Sequence, residues 1–270
     1  MANPALNFLA LGLYLIAAVL IARRLATGTA ATGGAKAVTL GLTIGAVALH
    51  AAILYAGLVG GVVNLSLTAA FSLVAWIVAV MYVAVTLLRP LDTLGILVMP
   101  LAGITVLAAF CWPTQNLIAL SSPWQAAHIV VALLAYGLLC LAAAQSLMLL
   151  LQERELKRKH LGGWLHALPP MEMTETLMFH LIGVGFVLLT LTVISGVFFA
   201  EQIFGKPFSF THHIVLAMSG WIVFAILLFG RWRLGWRGRT AIRWTLGGFG
   251  LLVLAYFGSK FVLEVLLGRR

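Results

Sequence analysis

Residues 124–151, WQAAHIVVALLAYGLLCLAAAQSLMLLL, form a long apolar run without one charged side chain. With a helical rise of about 1.5 Å per residue, this run would form a helix about 42 Å long. That length exceeds the thickness of the hydrocarbon core of a bilayer, which is roughly 30 Å. The rest of the chain has the same character, because 63% of its 270 residues are hydrophobic and only 9% are charged. This composition excludes an ordinary soluble domain and predicts an integral membrane protein.

Eight apolar runs are long enough to cross a membrane, and they predict an all-α, polytopic helix bundle forming one domain over residues 1–270. The count of eight depends on the fourth run, which holds Gly95, Pro100 and Gly103. The predicted spans are Ala5–Arg23, Val38–Val59, Val63–Leu88, Thr93–Phe110, Trp124–Leu151, Met173–Ala200, Thr211–Gly230 and Ile242–Leu267.

The basic residues lie mostly in alternate loops. Four fall in the first and third loops, four in the fifth and five in the seventh, which makes 13 of the 17. The positive-inside rule therefore predicts a multi-pass protein of the bacterial inner membrane with both termini in the periplasm. The basic residues nearest the first span, Arg23 and Arg24, follow it rather than precede it. We therefore expect a permanent helix there and not a cleaved signal.

The loops carry further signals about local structure. The charged stretch from Glu153 to His160 predicts a continuation of the fifth helix into water, and Pro169-Pro170 predicts the start of the sixth. Glu172 and Glu175 are then predicted in the first turn of that helix, where acids interact favourably with the helix dipole, so we interpret both as capping residues. Two loops predicted on the outer side, 57–64 and 111–123, carry no charge.

The seventh loop combines tryptophans and arginines. Trp232, Trp236 and Trp244 alternate there with five arginines, a pattern that superficially resembles a nucleic-acid surface. Beside membrane spans it indicates an anchor in anionic lipid instead, so membrane lipid is an expected partner and nucleic acid is not. The sequence holds no Walker loop, GxSxG or HExxH motif, so nucleotide hydrolysis and zinc proteolysis have no motif support.

The two cysteines argue against a disulfide within this chain and against a c-type cytochrome. Cys140 lies 16 residues into the fifth span, roughly 24 Å deeper than Cys111 at the helical rise, so a disulfide between them is not expected. The sequence has no Cys-x-x-Cys-His, which means that the chain is not itself a c-type cytochrome.

Histidines are the candidate chemical groups, because ionisable side chains are costly inside a membrane and imidazole is a common ligand of haem iron. His50 lies near the middle of the second span. His128 lies one turn into the fifth span, and His212 and His213 open the seventh on the same predicted side. Adjacent helical residues point about 100° apart, so one of the last two faces inward, and we favour His213.

A bis-imidazole haem needs two histidines on facing helices, which a bundle supplies. His128 with His213 or His50 is therefore the predicted haem pair, and the same three side chains are the predicted metal ligands. The alternative for His50 is a buried histidine bonded to a neighbouring carbonyl or hydroxyl. The alternative for His212 or His213 is contact with lipid headgroups.

Two further residues are weaker candidates for cofactor binding. His180 lies inside the sixth span with no histidine partner at its depth, so an inner site and a structural role remain open. Lys260 precedes Glu264 by one helical turn near the end of the last span. Snorkelling of both side chains to the interface is favoured, and the alternative is contact between Lys260 and a haem propionate.

The second half of the chain resembles a known family. The stretches SPWQAAHIVVALLAYGLLCLAAAQSLMLLLQERELK, LPPMEMTETLMFHLIGVGFVLLTLTVISGVFF and GWRGRTAIRWTLGGFGLLVLAYFGSKFVLE are similar to the cytochrome c assembly (CcsA/CcmC) membrane proteins, and most similar to the HemX-like and YpjD-like branch. The resemblance implies a b-type, non-covalently held haem bound by paired histidines, with His128 at the position of an outer histidine of the family.

The sequence departs from the haem-presenting members of that family at one place. Those members carry a tryptophan-rich outer segment with a WGxxWxWD-type core between the spans that match the sixth and seventh here. This chain has AEQIFGKPFSFTHHIVL instead, with Phe208 and Phe210 near the aromatic positions. HemX-like relatives also lack the segment, and they are linked with tetrapyrrole synthesis rather than with haem ligation to apocytochrome.

Together these observations predict an inner-membrane protein that binds, transports or senses haem and is not an enzyme. A cytochrome c maturation or haem-synthesis protein is its expected partner. The alternatives are a divalent-cation efflux component and a non-catalytic scaffold or regulator. A cytochrome b-like quinone oxidoreductase is disfavoured, because it needs a histidine pair in each leaflet and the inner leaflet offers only His180 clearly.

Overall fold

The computed structural model describes residues 3–27, 33–56, 62–88, 92–114, 116–119, 122–157, 168–198 and 212–266. Almost all of these residues are helical. The helices are α1 (Pro4–Thr27), α2 (Gly33–Ala56), α3 (Leu67–Leu88), α4 (Gly95–Cys111), α5 (Pro123–Lys157), α6 (Met171–Phe198), α7 (His212–Leu234) and α8 (Gly238–Leu266). Each of the eight predicted spans corresponds to one of them, which confirms the all-α, polytopic prediction.

Seven of the helices in the described ranges are long and apolar enough to cross a membrane, by length and composition. The exception is α4, which has 17 residues, contains Pro100 and follows a 3₁₀ turn at Asp92–Leu94. The fourth run was the one on which the predicted count depended. The continuation of α5 past the apolar run to Lys157 and the start of α6 directly after Pro170 are also as predicted.

The described residues group into two compact units. The first comprises Met1–Gly60, Thr68–Thr114 and Met148–Thr174, and the second comprises Gly61–Leu67, Gln115–Leu147 and Glu175–Arg270. In the first unit, α1 packs against α2 and α4. Gly103 of α4 permits close approach, because a Cβ there would come within 2.9 Å of the Leu11 side chain on α1.

In the second unit, α7 and α8 pack along a seam of small residues. A Cβ at Gly220 would lie 2.8 Å from Leu252, and one at Gly248 would lie 3.0 Å from Phe224, so glycine permits the close helix contact typical of membrane bundles. Trp221 of α7 stacks on Phe186 of α6 with ring centroids 5.6 Å apart. Its indole Nε1 also donates to the Thr190 hydroxyl at 2.8 Å.

The helix α8 changes its winding twice, with π-helical turns at Leu254–Gly258 and Val262–Leu266. The Tyr136 hydroxyl of α5 donates to the carbonyl of Leu252, just before the first π turn. Irregular turns of this kind leave backbone carbonyls that need outside donors, and π turns often occur near functional sites.

The two uncharged loops pair with each other, which the sequence did not predict. Strand β1 (Val62–Asn64) lies antiparallel to β2 (Leu117–Ala119), with Val63 opposite Ile118. Asn64 Oδ1 accepts from the backbone N–H groups of Ser66 and Asn116, at 3.0 and 2.9 Å. This short ribbon connects the segment before α3 to the segment before α5 within the second unit.

One expectation about a single residue needs revision. Glu175 is not a capping residue, because it lies beyond the first turn of α6 and its carboxylate accepts a hydrogen bond from the Arg231 guanidinium at 3.2 Å. Cys111 and Cys140 are both free, as expected. The segment around Phe208 and Phe210 and the loop histidines His160 and His166 lie outside the described residues.

Candidate functional site

His50 of α2 belongs to the first unit and is fully buried. Its Nδ1 is 3.1 Å from the Tyr14 hydroxyl of α1, and its Nε2 is 2.9 Å from the Ser72 hydroxyl of α3. A neutral imidazole has one donor and one acceptor, and a hydroxyl can fill either role. The three side chains therefore form a satisfied polar node that connects three helices.

This geometry matches the alternative interpretation of His50 as a buried histidine bonded to hydroxyls. A metal or haem iron would have to displace Tyr14 or Ser72 from a ring nitrogen and leave a buried hydroxyl without its partner. Such losses are costly in a low-dielectric interior. His50 therefore fits a ligand role less well than the sequence position alone indicates.

His128 has a different environment in the second turn of α5, within the second unit. Its Nδ1 lies 2.7 Å from the Ser195 hydroxyl of α6. That hydroxyl is 3.0 Å from the Thr192 carbonyl, to which it donates its proton. When Ser195 donates to the Thr192 carbonyl, it accepts from His128, and in that arrangement Nδ1 carries the imidazole proton and Nε2 the lone pair.

An imidazole held this way has the arrangement typical of metal-binding histidines. Ligating histidines usually donate their second N–H to a nearby oxygen, which fixes both the tautomer and the ring orientation. Gly196 lies beside the imidazole, since a Cβ there would be in ordinary van der Waals contact with His128 Cε1, at 3.5 Å.

The other candidate histidines lie at helix surfaces. His212 and His213 are the first two residues of α7 and are both exposed. His180 is exposed on α6. The pairing of His128 with His213 stays a prediction, and so does a ligand role for His212 or His180. Among the described residues, no group of three or more His, Cys, Asp or Glu side chains is placed to hold a metal ion.

Lys260 joins a cluster around the start of α3. Its ammonium donates to the Leu65 carbonyl, lies 3.6 Å from the Glu264 carboxylate and sits 5.5 Å from the centre of the Tyr256 ring. Glu264 also accepts from the backbone N–H of Leu67, the first residue of α3, at 2.9 Å. The pair therefore holds the β1–α3 junction, a role that neither the snorkelling nor the propionate interpretation included.

Replacing Lys260 with methionine should consequently destabilise the protein. The variant leaves Glu264 without its cation and removes the donor to Leu65, which we expect to cost about 1–3 kcal/mol because the pair is only partly desolvated. Thermal unfolding in detergent measures the effect, with Lys260→Met/Glu264→Gln as the charge-matched comparison. A change within about 0.5 kcal/mol, the usual value for a surface site, would show that Lys260 snorkels instead.

Comparison with known proteins decides the family. Residues 39–267 match the family described as "Cytochrome C assembly protein". The chain belongs to the cytochrome c assembly family. It is 33% identical to the inner membrane protein YpjD of Escherichia coli (strain K12) over 84% of this chain and 85% of that protein. No solved structure matches the chain.

A second relative is the cytochrome c biogenesis protein CcsA of Thermosynechococcus vestitus, which is 28% identical over 61% of this chain and 65% of that protein. The family match begins at residue 39 and so includes His50 as well as the second half on which the sequence resemblance rested. With its membrane-spanning helices, this member of the cytochrome c assembly family is a multi-pass protein of the inner membrane.

Sequence reasoning found the histidines of this family member but missed their partners. Ser195 and Gly196 lie 67 and 68 positions after His128, and Tyr14 lies 36 positions before His50. Small residues near the end of the sixth span were visible in the sequence. Their contact with His128 depends on how α5 and α6 pack, which hydropathy alone does not determine.

Proposed function

We propose that this protein binds haem non-covalently and transports, holds or senses it in cytochrome c biogenesis or tetrapyrrole metabolism, without being an enzyme. Membership of the cytochrome c assembly family supports this proposal, as does the likeness to a cytochrome c biogenesis protein. The observation that carries it is the 2.7 Å contact between His128 Nδ1 and Ser195 Oγ, which would orient the imidazole for ligation through Nε2.

In this proposal His128 and His213 would hold the haem iron through their imidazole nitrogens. His213 opens α7 in the same unit as His128. The iron would supply the coordination centre. The two imidazoles would determine how tightly the protein binds haem. The protein's own task is to keep Nδ1 protonated and the ring oriented, and Ser195 does both. Haem would then lie near the periplasmic face, as the positive-inside rule predicts.

The divalent-cation alternative receives less support. A transported cation usually needs several clustered ligands, and the described residues hold no such group of His, Cys, Asp or Glu. The scaffold alternative requires that His128 be structural only. Haem loading separates it from the proposal, because a scaffold would not develop a ligand-dependent spectrum.

The direct test is to purify the full chain in mild detergent from cells given a haem precursor and to record oxidised and reduced spectra. We expect a Soret band and sharp reduced α and β bands, which are typical of two imidazole ligands. If the purified protein is colourless and also fails to shift the spectrum of added hemin, the haem proposal is wrong. Elemental analysis of that sample would then test the cation alternative.

Replacing Ser195 with alanine should weaken hemin binding by about 10- to 100-fold, because partners in the outer shell of a ligating histidine typically contribute that much. Ser195→Thr keeps the hydroxyl and should restore most of the affinity. Ser219→Ala is the control, since this half-buried serine of α7 donates to its own helix, at the Val215 carbonyl. Equal affinities for the alanine variant and the wild type in a Soret titration would refute the positioning role.

A further inference from the structure

The turn between α7 and α8 concentrates positive charge. The segment 231–243 reads RWRLGWRGRTAIR, with five arginines and no acidic residue. Glu175 contacts two of the arginines, at 3.2 Å from Arg231 and 4.0 Å from Arg237. Arg233, Arg239 and Arg243 point to the exposed surface.

The turn is a defined structure, which sets it apart from a loose basic loop. Gly235 and Gly238 have φ values of 65° and 54°, a region that favours glycine. Between them, the Trp236 backbone donates to the Gly230 carbonyl at 3.1 Å, and the Trp236 ring packs 5.3 Å from that of Trp244. Trp236 and Trp244 therefore contact each other and support the turn.

The exposed surface of the turn carries both charged and apolar side chains. Trp232 and Leu234 are 76% and 64% exposed, and the Arg233 guanidinium lies 4.8 Å from the centre of the Trp232 ring. On α8, Arg239 and Arg243 are one turn apart on the exposed face, opposite the buried Ile242 and Thr245. Guanidinium groups beside an exposed indole fit the interface of a bilayer, where phosphates meet the acyl chains.

We propose that this turn is a binding site for the phosphate of an anionic phospholipid, held by Arg233, Arg239 and Arg243 with Trp232 in the interfacial layer. Arginine forms paired hydrogen bonds to phosphate oxygens, and the three arginines are complementary to an anionic headgroup. Arg231 donates to Glu175 and to the carbonyl of Trp236, and Arg237 lies 4.0 Å from the same carboxylate. The site is independent of the haem proposal.

The test titrates the delipidated full chain in detergent with phosphatidylglycerol and, separately, with phosphatidylcholine, and follows thermal unfolding. We expect tighter binding of phosphatidylglycerol. Each arginine near an anionic lipid contributes about 5-fold, so Arg233→Gln/Arg239→Gln/Arg243→Gln should lower that affinity by up to roughly 100-fold. The control, Arg23→Gln/Arg154→Gln/Lys157→Gln, removes the same charge from exposed positions on other helices and should have little effect.

Several outcomes would overturn the lipid assignment. Equal affinity for the two lipids would do so, as expected if the arginines instead bind an acidic protein. So would an unchanged affinity in the triple variant, or an equal loss in the control variant. Stabilisation by inorganic phosphate equal to that by phosphatidylglycerol would show a site for free anions. The midpoint of unfolding without lipid verifies that each variant is folded.

Discussion

Replacing His128 with alanine is expected to weaken hemin binding by more than about 100-fold and to abolish the bis-imidazole spectrum. The variant removes the ligand itself, whereas loss of an outer-shell partner alone typically costs about 10- to 100-fold. The measurement is a hemin titration followed at the Soret band, together with the reduced α and β bands. His180→Ala is the matched control, because His180 is an exposed histidine of α6 outside the proposed site.

The His180→Ala control also defines the result that would contradict haem binding at His128. If His180→Ala loses the spectrum and His128→Ala keeps it, the site lies elsewhere on α6 and the bond to Ser195 is only structural. Circular dichroism must show the same helix content in both variants, because His128 is partly buried and its removal could otherwise act through folding.

Replacing His50 with leucine is expected to lower the free energy of unfolding by about 1–3 kcal/mol and to leave hemin affinity unchanged. Two hydrogen bonds are lost, and each such bond between membrane helices contributes about 0.6 kcal/mol with a maximum near 1.7 kcal/mol. The Tyr14 and Ser72 hydroxyls also remain buried without the imidazole. Denaturant-induced unfolding in detergent measures the change.

A triple variant isolates the cause of that loss. Tyr14→Phe/His50→Leu/Ser72→Ala removes the stranded hydroxyls together with the imidazole, so it should be more stable than His50→Leu alone. If the single variant is as stable as the wild type, the polar node does not hold α1, α2 and α3 together.

The fold was largely predictable because the length of an apolar run is a direct consequence of membrane thickness. All eight runs became helices, and the fourth, with its proline and glycines, is the short one. The pairing of β1 with β2 was not predictable, since its partners lie more than 50 positions apart and neither strand exceeds three residues. It depends on where the flanking helices place the two loops.

The candidate site was predictable by residue type and much less by partner. The cost of an ionisable group in a membrane singled out His50 and His128, and the alternative of a hydroxyl-bonded histidine describes His50. Nothing local assigned Ser72 to His50 or Ser195 to His128, because these contacts form only when separate helices pack. For the same reason Glu175 looked like a capping residue although it pairs with Arg231.

The central claim is that haem binds at His128 while His50 is part of the folded core. The most direct measurement is one hemin titration run in parallel on the wild type, His128→Ala and His50→Leu, each verified as folded. We expect the wild type and His50→Leu to develop the same Soret band at the same hemin concentration, and His128→Ala to develop none. A wild type that binds no hemin would contradict the account, and so would a His50→Leu variant that loses the band as completely as His128→Ala.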